Sequence, residues 1–122
     1  MLLVDTSIWI DHFRKGNPRL SAGLLRRQVL IHAFVLGELA LGRALRFGEI
    51  ITDLSDLPNA TIAAPAEVLQ LISRVELAGS GIGYVDAHLV ASTLLTPDCR
   101  LWTRDRKLRA VAERLSIAAQ VE

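Results

Sequence analysis

The chain has 122 residues, which suffice for one domain and are too few for two full hydrophobic cores. Hydrophobic residues make up 51% of the sequence, which excludes intrinsic disorder, and a net charge of +1 excludes a strong overall attraction to nucleic acid. The mean hydropathy of +0.34 is high for a monomer, so we expect some apolar surface to be buried against a partner.

Strand and helix patterns alternate along the sequence. Pro18 and Pro65 suit the first turns of helices, and glycines at 79, 81 and 83 interrupt the chain. The predicted elements are a strand at 1–4, helices at 6–13 and 18–27, a strand at 29–33, helices at 34–45 and 48–57, a weak strand at 60–64, helices at 65–78 and 84–95, a strand at 100–103, a helix at 105–115 and a fifth strand at 117–121. This alternation predicts a parallel sheet with helices on both faces.

The sequence also bears on compartment and cysteine chemistry. No apolar run approaches the roughly 20 residues of a membrane helix, and the N-terminal run lacks the basic start of a signal peptide. Cys99 is the one cysteine, which excludes an internal disulfide and a cysteine-based zinc site. We therefore expect a cytoplasmic protein without membrane association, formed by one domain that spans residues 1–122.

Four acidic residues occur where apolar residues are expected. Asp5 ends the first predicted strand and Asp105 follows the fourth, and in open parallel sheets ligands bind at these strand ends. Glu38 and Asp86 lie on apolar helix faces, where an ionised carboxylate needs compensation. Structural alternatives remain open, because Asp105 could cap the last helix and Asp86 could interact with a helix dipole.

If these four carboxylates meet, their charges need neutralising. Two carboxylates ~5 Å apart repel by roughly 3 kcal/mol at an effective dielectric of ~20. The cluster must then take up protons or bind a cation, and a site made of carboxylate oxygens favours Mg²⁺ or Mn²⁺ over zinc. Such ions serve in phosphodiester hydrolysis.

Four segments resemble PIN-domain ribonucleases, and specifically the VapC-type toxins of bacterial toxin–antitoxin pairs. They are LLVDTSIWIDHF (2–13), GELALG (37–42), GYVDAHLVAS (83–92) and LWTRDRKL (101–108). Their order and spacing match the family over the whole chain. The resemblance implies a three-layer α/β/α fold with a parallel sheet of about five strands in the order 3-2-1-4-5. It also implies a Mg²⁺-dependent endoribonuclease, in which Mn²⁺ can substitute, that is neutralised by a cognate antitoxin.

The resemblance assigns roles to particular residues. The acidic family positions fall on Asp5, Glu38, Asp86 and Asp105, of which Asp5 and Asp86 are expected to bind the metal directly. Glu38 and Asp105 are expected to act through bound waters or at a second metal position. Ser7 and Thr103 match positions that hydrogen-bond the acids or the attacking water, although helix capping would explain both hydroxyls as well.

One departure from the family, and a basic bias, concern the region after the fourth acid. Many relatives have an acidic residue and an aromatic residue where this chain has Lys107 and Leu108. Basic residues concentrate nearby and could form a rim that holds RNA, although a solvated helix face would also explain them; they are Arg100, Arg104, Arg106, Lys107, Arg109 and Arg114.

The expected partners are RNA, the antitoxin and further copies of the chain, in a homodimer and a higher toxin–antitoxin assembly. Two alternative functions belong to other classes. A non-catalytic PIN-like module would bind RNA or protein, and divalent metal binding would argue against it. An aspartyl-phosphate protein of the haloacid phosphatase type would need a second aspartate two residues after Asp5, where this chain has Ser7.

Overall fold

The computed structural model describes residues 1–42 and 49–121. Strands and helices alternate along most of this length, as the hydrophobic pattern predicts. In chain order the elements are β1 (Leu2–Val4), α1 (Thr6–Lys15), α2 (Pro18–Leu25), β2 (Val29–Leu30), α3 (Ala33–Leu41), α4 (Glu49–Ser55), α5 (Pro65–Arg74), α6 (Tyr84–Leu95), β3 (Arg100–Trp102) and α7 (Arg106–Arg114).

The sheet is parallel, with β1 between β2 and β3. Leu2 of β1 is opposite Val29 on one side and Arg100 on the other. Consecutive strand residues point to opposite faces, and both Leu3 and Val4 are fully buried, so other elements cover both faces of β1. This arrangement confirms the predicted α/β fold with a parallel sheet.

The prediction of about five regular strands is wrong, because the two outer segments each form a single bridge. Asn59 bridges to Ile31 beyond β2, and Ala118 bridges to Leu101 beyond β3, both in parallel orientation. The spatial order of the five segments is therefore the predicted 3-2-1-4-5. The ladder beyond β2 stops because Pro58 has no N–H to donate and because α3 begins at Ala33.

Most helix predictions are confirmed with shifted ends. The predicted helix at 84–95 coincides with α6, whereas the helix predicted at 65–78 ends at Arg74 as α5. The helix predicted at 34–45 is present as α3, which ends at Leu41, and its predicted end lies outside the described residues. The helix predicted at 48–57 corresponds to α4, which ends at Ser55. The predicted first residue, 48, lies outside the described residues.

Two helices begin at the same edge of the sheet, and each begins with an aspartate. Asp5 caps α1 directly after β1, and Asp105 caps α7 shortly after β3. Because β1 and β3 are parallel neighbours, both caps lie beyond the carboxyl ends of adjacent strands. The N–H of Asp5 donates to the carbonyl of Trp102 at 2.9 Å, which extends the β1–β3 pairing to this edge.

The core fills the space between this sheet and its helices. Its largest fully buried side chains include Leu3, Ile8, Trp9, Leu89 and Leu101. Trp9 stacks on Phe13 with ring centroids 5.9 Å apart, which places this aromatic pair of α1 in a packing role. Within residues 1–42 and 49–121, no helix has the length and apolar character needed to cross a bilayer.

Candidate active site

Asp5 lies at the centre of the hydrogen bonds at this strand edge. Its carboxylate is buried, and Oδ1 accepts from the N–H of Thr6 at 2.7 Å. Oδ2 accepts from Ser7 Oγ at 2.9 Å and from Thr103 Oγ1 at 2.8 Å. Three donors therefore fix the orientation of one carboxylate, which is how supporting hydrogen bonds orient a metal ligand.

Ser7 and Thr103 each join Asp5 to the chain that precedes α7. Ser7 Oγ accepts from the N–H of Arg104 at 3.1 Å, and Thr103 Oγ1 accepts from the N–H of Asp105 at 3.0 Å. Each hydroxyl is thus an acceptor from backbone and a donor to Asp5. The two hydroxyls hydrogen-bond the predicted acid, as the resemblance implies, and Thr103 is not the cap of α7.

Asp105 has a capping function in addition to its place at the site. Its Oδ1 accepts from the N–H of Leu108 at 2.9 Å, which is an N-cap hydrogen bond for α7. The residue is exposed, and its backbone is tied to Asp5 through Thr103. Asp105 therefore does cap α7, as the structural alternative predicts. Capping uses only one of its two carboxylate oxygens.

Glu38 reaches the site through a residue that the sequence analysis did not single out. Thr6 Oγ1 donates to Glu38 Oε1 at 2.8 Å, and Thr6 follows Asp5 directly. This bond connects α3 to the start of α1, two helices that pack against each other. The hydroxyl group of Thr6 is the one feature of the sequence that indicates this role. Its partner could not be predicted, because the contact depends on how the two helices pack.

Asp86 has a perturbed titration. Burial, followed by the negative charges of Asp5, Asp105 and Glu38, raises the pKa of Asp86 to about 6, and a backbone hydrogen bond from Gly83 offsets only part of this rise. The other three predicted acids are therefore close enough to affect the carboxyl group of Asp86. The structure thus brings the four together electrostatically, with Asp86 in the negative potential of the other three.

The four carboxylates do not converge into a ready-made ligand cluster. Among residues 1–42 and 49–121, no three His, Cys, Asp or Glu side chains lie close enough together to hold a metal ion. Glu38 and Asp105 each accept a hydrogen bond from another part of the chain, Glu38 from Thr6 and Asp105 from the start of α7. Mg²⁺ keeps several waters and commonly takes only one or two carboxylates. The oxygen donors and the uncompensated charge at Asp86 fit such an ion.

Most of the predicted basic rim is engaged within the protein. Arg104 pairs with Asp11 at 2.7 Å and Arg109 with Glu113 at 2.9 Å. The guanidinium groups of Arg100 and Arg114 donate to backbone carbonyls. Within the described ranges, the two cationic groups of the rim without such a partner are Arg106 and Lys107.

The ion pair of Asp11 with Arg104 lies at the margin of the site and lowers the pKa of Asp11. Partial burial pushes the pKa of Asp11 up, but the charge of Arg104 and the contact with Lys15 outweigh it, so the pKa lies below its usual range. Asp11 therefore stays ionised and keeps Arg104 turned toward α1. A cleft of about 360 Å³ at this place is lined by both residues and by Thr103.

A buried histidine joins the helices that carry Glu38 and Asp86. His32 Nδ1 accepts from the N–H of Phe34 at 3.0 Å and so caps α3, while Nε2 lies 3.0 Å from Ser92 Oγ of α6. Burial lowers the pKa of His32, with a smaller contribution from the charge of His88, so the ring is neutral and Nε2 donates to Ser92. No spacing of residues in the sequence predicts this bridge, because it depends on how α3 and α6 pack.

Comparisons with known proteins agree with this geometry. A family profile described as PIN domain matches residues 2–114. The protein named ribonuclease VapC32 in Mycobacterium tuberculosis, strains CDC 1551 / Oshkosh and ATCC 25618 / H37Rv, is 38% identical over 122 residues, covering 100% of this chain and 98% of the relative.

Among solved structures, the crystal structure of FitAcB from Neisseria gonorrhoeae contains a similar chain. The TM-score is 0.62 and the identity 21%, over 93% of this chain and 94% of that chain, so this likeness concerns the fold. The family profile spans most of the sequence, and the mycobacterial relatives align along all of it. The chain therefore belongs to the PIN-domain family, and within it to the VapC-type ribonucleases.

Proposed function

We propose that this VapC-type endoribonuclease hydrolyses RNA at the edge formed by Asp5, Glu38, Asp86 and Asp105, with a divalent cation held by Asp5 and Asp86. The supporting observation is the pKa of Asp86, which burial and three acidic neighbours raise to about 6. A bound Mg²⁺ or Mn²⁺ ion supplies the positive charge that polarises a phosphodiester and makes water a better nucleophile.

The protein's own residues orient the reacting groups. Thr6, Ser7 and Thr103 hold the Asp5 carboxylate in one orientation, so it needs little reorganisation to serve as a ligand. Glu38 and Asp105 are more exposed than Asp5 and each keeps one carboxylate oxygen without a hydrogen bond to a described residue. We assign these two acids to the binding of water molecules near the phosphate.

The experiment is cleavage of RNA by the purified chain with Mg²⁺ or Mn²⁺ and in EDTA. Attack by water on the phosphorus, with the 3′-oxygen as the leaving group, gives 5′-phosphate and 3′-hydroxyl ends, and we expect no cleavage in EDTA. Asp86→Asn is expected to abolish cleavage, whereas Glu67→Gln, on the exposed start of α5, is a matched control that keeps it. Products with 2′,3′-cyclic phosphate ends would contradict the mechanism, because they arise when the RNA's own 2′-hydroxyl attacks.

We also propose that a cognate antitoxin covers the α3–α4 region and that the chain self-associates as a homodimer within a larger assembly. Leu41, at the end of α3, is 90% exposed, and Leu69, Leu94 and Leu95 add exposed apolar surface on α5 and α6. Sedimentation of the chain alone and with the product of the adjacent upstream gene tests both statements. A monomer that does not bind that product would contradict them.

The remaining assignments follow from the substrate. RNA is the expected substrate, so we place the activity in the cytoplasm, and we treat residues 1–122 as one nuclease domain. A non-catalytic PIN-like module is the second candidate, and the raised pKa of Asp86 speaks against it, because such a module has no need for uncompensated negative charge. Isothermal titration with Mn²⁺ separates the two, since the module would bind no ion at this edge.

A further inference from the structure

Two exposed aromatic side chains flank a buried imidazole beside the acids. Phe34 of α3 is 39% exposed and Tyr84 of α6 is 50% exposed, whereas His88 between them is 2% exposed. The His88 ring centroid lies 4.7 Å from the centroid of Phe34 and 4.7 Å from that of Tyr84. The three rings therefore form one aromatic cluster between α3 and α6, which is exposed at Phe34 and Tyr84.

Phe34 and Tyr84 stay partly exposed although other rings contact both of them. His88 is inclined at 58° to Phe34 and 90° to Tyr84, and His32 is inclined at 69° to Phe34. Among residues 1–42 and 49–121, no ring lies parallel to Phe34 or Tyr84. Because inclined aromatic neighbours contact both rings, a flat ligand that stacks on their exposed parts would immobilise little additional side-chain freedom.

Phe34 links these rings to the acidic edge. Phe34 and Glu38 are four residues apart on α3, which puts their Cβ atoms about 5–6 Å apart on one helix face. Tyr84 begins α6, the helix that carries Asp86 in its first turn. A Cβ added at Gly37 or Gly83 would meet no described atom within 4 Å, so the space beside both acids is open.

We propose that Phe34 and Tyr84 form a stacking platform for an unpaired nucleobase of the RNA, next to the phosphodiester held at the acids. The proposal rests on the proposed function, because a strand with its phosphate at the acids must place a flanking base within reach of these rings. Single-stranded RNA is commonly bound by stacking of splayed bases on aromatic side chains. Two rings bordered by carboxylates suit one base better than an apolar protein segment, which would need a larger apolar surface.

The test uses a short single-stranded RNA that carries 2-aminopurine, whose fluorescence falls when the base stacks. The RNA is mixed rapidly with the full chain and Mg²⁺, so that quenching is read before cleavage, and KM and kcat are measured for the same RNA. Phe34→Leu and Tyr84→Leu are expected to reduce the quenching and to raise KM about 5- to 100-fold each, with a smaller change in kcat.

Variants that keep an aromatic ring separate stacking from general disruption. Phe34→Tyr and Tyr84→Phe are expected to keep the quenching and the KM of the unaltered chain. Leu25→Ala, which removes another exposed apolar side chain at the end of α2, is the matched control and is expected to change neither value. Thermal melting of every variant identifies any that fail to fold. If a leucine variant does not fold, the test rests on Phe34→Tyr and Tyr84→Phe.

Each outcome separates the platform from the proposed function. Absence of quenching by the unaltered chain would overturn the platform whether or not RNA is cleaved. Quenching without any cleavage would contradict the proposed function and leave the platform supported. Leucine variants with unchanged quenching and unchanged KM would overturn the platform. If these variants also lose affinity for the upstream gene's product, the rings are a protein contact.

Discussion

Thr103 Oγ1 lies 2.8 Å from Oδ2 of Asp5, although the two residues are separated by 98 positions in the sequence. The same hydroxyl accepts from the N–H of Asp105, so its proton points to Asp5 and the direction of the bond is fixed. Thr103 therefore couples the ends of β1 and β3 and orients a predicted metal ligand. A bond of this kind predicts effects on both stability and metal affinity.

Thr103→Val keeps the shape of the side chain and removes the hydroxyl. Because a buried charge-assisted hydrogen bond is lost, we expect the free energy of unfolding to fall by about 1–3 kcal/mol. We also expect the apparent affinity for Mn²⁺ to fall about 10- to 100-fold, as when other supporting contacts of metal ligands are removed. Thr103→Ser restores the hydroxyl and should recover most of the affinity in isothermal titration. Equal Mn²⁺ affinity in the valine variant would show that Asp5 does not depend on Thr103.

Asp86→Asn is expected to raise stability without metal in a pH-dependent way. The folded chain keeps a proton on Asp86 up to about pH 6, whereas the unfolded chain releases it near its ordinary pKa of about 3.9. The free energy of unfolding of the unaltered chain therefore contains a contribution that is present below about pH 4 and lost as pH rises through 6. Allowing for solvent screening, the variant should be more stable by about 1–2 kcal/mol at pH 7–8.

The measurement for Asp86→Asn is thermal or urea unfolding in EDTA from pH 4 to pH 8. The advantage of the variant should shrink below about pH 5 and should narrow or reverse when Mg²⁺ is added, because only the unaltered site binds the ion. A constant difference at every pH would contradict the raised pKa of Asp86. Asp56→Asn, at an exposed acid after α4 that has no side-chain hydrogen bond to a described residue, controls for the loss of one negative charge.

Asp5→Asn is expected to act in the opposite direction, which the sequence alone did not indicate. Repulsion within the acidic cluster predicts that neutralising Asp5 stabilises the chain without metal. In the structure its carboxylate accepts from Thr6, Ser7 and Thr103, and an amide brings a donor to one of these positions in either orientation. We therefore expect a loss of about 1–2 kcal/mol in EDTA, together with loss of RNA cleavage. A variant that melts higher than the unaltered chain would show that charge relief outweighs these hydrogen bonds.

The sequence predicted the acidic edge because its signals are local. Asp5 ends an apolar run, Glu38 and Asp86 interrupt apolar helix faces, and these patterns need no knowledge of the packing. The bond from Thr6 to Glu38 depends on the packing of α1 on α3, which no spacing reveals. The outer strands were overestimated because each outer segment makes only one bridge, and Pro58 cannot donate a further hydrogen bond to β2.

Ser92→Ala tests the bridge between α3 and α6. The alanine leaves the Nε2–H of His32 buried without its partner, so we expect a loss of about 1–3 kcal/mol in the free energy of unfolding. Burial holds the pKa of His32 below its usual value, so the unfolded chain binds the proton more readily and stability falls as pH drops below about 6.5. His32→Asn keeps a capping oxygen for α3 and should lose this acid sensitivity in urea unfolding. An unchanged pH profile in that variant would assign the sensitivity to another group.

Arg106 and Lys107 are expected to carry the contact with the RNA backbone. The other cationic groups of the rim are engaged by carboxylates or carbonyls, whereas these two have no such partner within the described residues. The stem of Lys107 packs against Gly81, whose φ of +87° and missing Cβ leave room for it, so the ammonium group is held on the loop before α6.

Arg106→Ala and Lys107→Ala should each weaken RNA binding and reduce the slope of log K against log salt by about 1, because each contact releases about one counterion. Arg109→Ala is the matched control, since its guanidinium already pairs with Glu113 and its removal should leave the slope unchanged. Fluorescence anisotropy of a labelled single-stranded RNA across a salt series measures all three slopes. Equal slopes for Arg109→Ala and the other two variants would place the RNA backbone along the whole of α7 rather than at its start.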